Sequence, residues 1–80
     1  MSDNLQRVNV SIRLNDVFDG IDRIIGEVRR AGWTLRRLIL VTDDGPPSAW
    51  LTLSVPFGTD TAVLATRLQR YPAVRDALVR

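Results

Sequence analysis

The sequence predicts an α+β domain of the ferredoxin-like type, a βαββαβ sandwich with a four-stranded antiparallel sheet and both helices on one face. Three observations predict it. Two stretches alternate with the period of a half-buried strand, two others place apolar residues at helical spacing, and turn-forming residues separate them in the order strand, helix, strand, strand, helix, strand.

"RVNVSIRL" sets Val8, Val10, Ile12 and Leu14 against Asn9, Ser11 and Arg13, so one face of this first strand meets a core. The period then changes. Val17, Ile21, Ile24, Ile25 and Val28 fall at helical spacing, with Asn15 or Asp16 available as N-cap and Gly32 just past the end. "TLRRLILV" reads as a second strand, with Leu38 and Leu40 inward and Ile39 and Val41 outward, and "DDGPPS" ends it. "SAWLTLSV" alternates again, directing Ala49, Leu51, Leu53 and Val55 to the core and Trp50, Thr52 and Ser54 to the open side. Thr59 or Asp60 then caps a second helix whose buried stripe is Val63, Leu64, Leu68 and Tyr71, and Pro72 stops it. "AVRDALVR" supplies the last strand. Residues 1–80 thus form one domain, with 1–6 as a flexible lead.

Eighty residues bury only about 60% of their unfolded surface, so a partner that completes the fold's burial is expected. The absence of cysteine excludes disulfides and thiolate metal sites. The absence of histidine removes the side chain best suited to acid-base work near neutral pH and the commonest metal ligand. No catalytic residue, cofactor or metal is therefore expected. No stretch approaches the ~20 apolar residues of a membrane span, and a cytoplasmic location is expected.

All eleven basic residues are arginine, yet the net charge is only +2. In "VRRAGWTLRRL", Arg29 and Arg30 complement a helix C-terminus, and strict alternation sends Arg36 and Arg37 to opposite sides of a strand. The expectation is no nucleic-acid grip, because backbone recognition wants cations converging on one face. The face opposite the helices shows Ile39, Val41 and Trp50, an exposed apolar patch of the kind that marks a partner interface. Trp33, where the first helix hands over to the second strand, belongs with the core.

"VNVSIRLN", followed by "GIDRIIGEVRRAGWTLRRL" and "LTLSV", resembles the ACT domain of acetolactate synthase small subunits, above all the short single-domain type that accompanies isozyme II. The resemblance covers roughly residues 7–79. It implies a regulatory subunit without chemistry of its own, which binds and activates the thiamine-diphosphate-dependent large subunit in branched-chain amino-acid biosynthesis. It also implies pairing of two copies edge to edge as a homodimer. In amino-acid-sensing members a ligand lies at that pairing; carried over by position, its site takes Asn15, Gly20 and Ile21 from the first loop and Thr34 and Leu35 from the start of the second strand.

This chain departs from the sensing pattern at that site. The loop reads "NDVFDGI" where sensing members read N-x-P-G-V, with Asp19 in the place of proline and two extra residues. Thr34 stands where an asparagine usually follows the glycine-aromatic pair. The resemblance therefore implies at most weak binding of a branched-chain amino acid. On the residues alone, Asn15 is a helix cap and Gly20 marks a close approach by a ligand or neighbouring chain. An alternative is a free-standing dimeric ACT-domain amino-acid sensor. An acylphosphatase-like enzyme would need an arginine in the first loop, and residues 15–20 hold none.

Overall fold

A computed structural model describes residues 4–80; residues 1–3 lie outside the description. The elements follow the expected order: β1 (Leu5–Leu14), α1 (Val17–Ala31), β2 (Thr34–Val41), β3 (Ser48–Pro56), α2 (Ala62–Leu68) and β4 (Val74–Val79). The strands form one antiparallel sheet in the order β2-β3-β1-β4. Of the lead expected to be flexible, Leu5 and Gln6 belong to β1, where they pair with Pro56 and Val55.

One face of the sheet carries the core. Val8, Val10, Ile12 and Leu14 from β1 and Ala49, Leu51, Leu53 and Val55 from β3 are buried there with Ile24, Val28, Leu64 and Leu68 of the helices. The alternation in both central strands sets this arrangement, since every second side chain points the same way. Trp33 is half-buried and packs against the cluster, as expected.

Helix α1 starts where Asp16, in extended conformation, accepts a hydrogen bond from the Asp19 N–H, so the cap is Asp16 rather than Asn15. It ends at Gly32, whose φ of 78° suits a residue without Cβ. Arg29 and Arg30 occupy its last turn. Helix α2 is shorter than the apolar spacing indicates. Val63 is exposed, Tyr71 lies beyond its end, and Asp60 accepts from the Ala62 N–H.

The second strand departs most from expectation. Thr34 and Leu35 pair with Ser54 and Leu53, but the next paired residue is Arg37, opposite Thr52, so Arg36 is the extra residue of a β-bulge. The bulge shifts the phase of the strand, and Leu35 and Leu38 become its two half-buried residues. Leu40, opposite Ala49, is 41% exposed because this outer strand runs past the helices' cover.

Candidate functional site

The two halves of the ligand site implied by position stand at opposite ends of the sheet. Asn15 and Gly20 follow the end of β1, whereas Thr34 begins β2 level with Ser54 and Arg7, near the start of β1. About eight residues of strand separate them, roughly 26 Å at 3.3 Å per residue. A single copy does not bring them together; a site built from both needs two copies. β2 is an edge strand, so its outer hydrogen-bonding groups are open to such pairing.

Within the loop, structural duties occupy the expected ligand groups. Asn15 donates its backbone N–H to Ala73 O at 2.8 Å and its Nδ2 to Pro72 O at 2.9 Å, which ties the start of α1 to the start of β4. Gly20 is buried, and a Cβ there would lie 2.7 Å from Leu14 Cδ2 and 3.5 Å from Ala73 O. The close approach inferred from this glycine is thus met by residues of the same chain. Ile21 and Leu35 pack partly buried against the core, and Thr34 is exposed. Beside them, Phe18 is 86% exposed, a large aromatic that the helical spacing alone did not single out.

The expected partner surface is assembled on the face of the sheet opposite the helices. Ile39 lies directly across from Trp50, and Val41 follows two residues on, opposite Ser48; all three are exposed. The row continues through Ser11 to exposed Leu78 on β4. Ile39, Trp50, Ser11 and Leu78 therefore cross all four strands as one line.

Arginines flank that line. Arg7 is level with Ser54, and Arg37 lies opposite Thr52, both on the open side. Arg36 joins them: its Nε donates to Ser54 Oγ at 2.9 Å, and Ser54 is only 5% exposed beside it. The expectation that Arg36 and Arg37 diverge is corrected here, because the bulge removes the alternation on which it rested. Arg80 completes the set, its guanidinium 5.3 Å from the centre of the Trp50 ring, and Thr52 Oγ1 donates to Asn9 Oδ1 at 3.0 Å between them.

One ion pair belongs to this face. Arg13 and Asp76 are opposite one another on β1 and β4, and Nε of Arg13 donates to both carboxylate oxygens, at 3.1 and 2.9 Å. The bonds hold the Asp76 carboxyl below its usual range and raise the arginine above its own. Both groups are solvated, so the pair chiefly fixes register. Five arginines against one aspartate leave the face at +4; the described residues as a whole sum to +3, so the remainder of them sums to −1.

On the helix side, Glu27 is 5% exposed, and Oε2 accepts from Tyr71 Oη at 2.5 Å and Arg30 at 3.2 Å. This joins α1 to the end of α2. A shallow cavity of about 370 Å³ beside it is lined by Trp33, Asp60, Val63 and Arg67, among others. Among the described residues no three acidic, histidine or cysteine side chains are placed to hold a metal ion. No helix among them is long and apolar enough to cross a membrane.

The class of protein that this geometry defines is a ferredoxin-like domain with an open sheet face, and solved structures of that fold include ACT domains. The chain is similar to the ACT domain of GTP pyrophosphokinase from Chlorobium tepidum, with a TM-score of 0.75 and 17% identity over 98% of this chain and 89% of that one. A crystal structure of the same domain gives 0.67 and 18% over 99% and 100%. The C-terminal domain of the MgtC protein from Mycobacterium tuberculosis matches with a TM-score of 0.71 and 14% identity, over 100% of this chain and 90% of that one. At these identities the likeness establishes the fold. No protein-family model and no curated protein matches the sequence.

Proposed function

We propose that the chain is a non-catalytic regulatory subunit that docks through its open sheet face on the catalytic large subunit of acetolactate synthase and raises that enzyme's activity. One observation carries the reading: Ile39, Val41 and Trp50, drawn from two paired strands, form one exposed patch on the face the helices leave bare. Patches of this kind, with an aromatic near the centre and a polar rim, are typical of interfaces. The resemblance of "VNVSIRLN" and its following helix to the short small subunits supplies the partner's identity. The shared fold with an ACT domain supports a regulatory role. In this reading the chain works in the cytoplasm, and the thiamine diphosphate belongs to its partner.

The open edge of β2 favours a second reading alongside the first, a homodimer paired along that edge as an amino-acid sensor. There the loop of one copy meets Thr34 and Leu35 of the other, and a branched-chain amino acid binds weakly because Asp19 repels its carboxylate.

Calorimetric titration of the large subunit with the wild-type chain and with Trp50→Ala tests the docking surface. Loss of a central aromatic anchor weakens binding by about tenfold or more, roughly 1.4 kcal/mol, while the circular dichroism spectrum stays unchanged. Equal affinity for the two chains contradicts the assignment.

A further inference from the structure

We infer that the surface received by the open face is that of an acidic protein segment bearing aliphatic or aromatic anchors. The inference rests on the docking face proposed above and names the chemistry of its occupant. The apolar line Ile39, Trp50 and Leu78 has cations beside it, and the acid on the paired strands, Asp76, is matched by Arg13. Arg7, Arg36, Arg37 and Arg80 take part in no ion pair among those residues, whereas the one acid of the face, Asp76, is occupied by Arg13. Four unmatched cations on one side of a chain whose other described residues sum to −1 is a segregation of charge. Segregated charge selects a partner of opposite sign and speeds its approach.

The bulge is the device that creates this segregation. A regular strand would turn one of two successive arginines toward the helices; the extra residue keeps both on the open side, and the Arg36–Ser54 hydrogen bond holds the first flat against the sheet. Arg80 lies over Trp50 in the same way. Guanidinium groups held in place lose little further entropy when a carboxylate arrives, and they receive carboxylates bidentately.

The apolar residues decide between a protein and a nucleic acid. Ile39, Val41 and Leu78 offer nothing to a phosphate backbone, and Trp50 is the sole aromatic on the described open face, where single-strand binders stack successive bases on several. An apolar line with a charged border matches the core and rim of a protein interface. The face spans about 19 by 26 Å, about 500 Å², less than the ~800 Å² per partner of an ordinary stable interface.

Fluorescence anisotropy tests this with three labelled probes of about twelve units each. They are a peptide of glutamates and leucines, its counterpart with lysine for glutamate, and a single-stranded oligothymidylate. The folded chain is expected to bind the acidic peptide, to lose about tenfold in affinity between low and high salt, and to lose a similar factor in the Arg36→Glu/Arg37→Glu variant. Equal binding of the lysine peptide, tighter binding of the oligonucleotide, or no binding of any probe overturns the inference. A parallel titration of the acetolactate synthase large subunit separates the two proposals. Equal activation by wild type and the double variant overturns the inference and leaves the docking partner standing. Binding of the acidic peptide with no activation at all keeps the inference and removes that partner.

Discussion

Gly20 shows how a single residue carries two readings. It lies within a helix, which disfavours it relative to alanine by up to ~1 kcal/mol, and the structure places Leu14 and Ala73 where its side chain would be. Gly20→Ala is therefore expected to destabilise by about 1–3 kcal/mol through overpacking, seen as a lower urea midpoint with an unchanged slope. An unshifted midpoint would mean that Leu14 simply moves aside. Glu27 is a second case, a buried carboxylate joined to Tyr71 and Arg30. Tyr71→Phe removes a hydrogen bond to a charged group and is expected to cost about 1.5 kcal/mol in the same measurement. The sequence makes the need for a small residue at position 20 visible. It leaves the neighbour open, because Leu14 and Ala73 meet there only once β1 and β4 are paired.

At the scale of elements, the central strands were legible because their alternation is unbroken, and Ile39, Val41 and Trp50 emerge together because pairing follows from it. β2 was harder. Leu35 and Leu38 are three apart and both lean on the core, a spacing that a strand accommodates only across a bulge; that spacing was the available signal for Arg36 and Arg37 sharing a face. The opposite end of the sheet carries a pH-dependent contact. Asp76 has its folded pKa depressed by Arg13, so its contribution is present above the unfolded carboxylate range near 4 and is lost as pH falls through the lower, folded value. Asp76→Asn should then be less stable than wild type at neutral pH. The difference should vanish in acid, read as two thermal-midpoint curves that converge as pH is lowered; parallel curves would exclude a titrating Asp76.

For the whole molecule, the topology was written in the order of periods, and the solved structures that share it diverge widely in sequence. Site assignment by position reached less far, since the first loop and the start of β2 lie at opposite ends of the sheet. Local sequence holds no record of which residues a second copy brings close. What does follow from one copy is the asymmetry between a helical side and a cationic, partly apolar open side. That asymmetry is consistent with the proposed docking in one orientation. The most direct test is acetolactate formation by the purified large subunit from the same organism, titrated with this chain in the absence and presence of valine, leucine and isoleucine. The account predicts a saturable rise in rate, with little or no reversal by the amino acids; a flat titration with a demonstrably folded chain would contradict it.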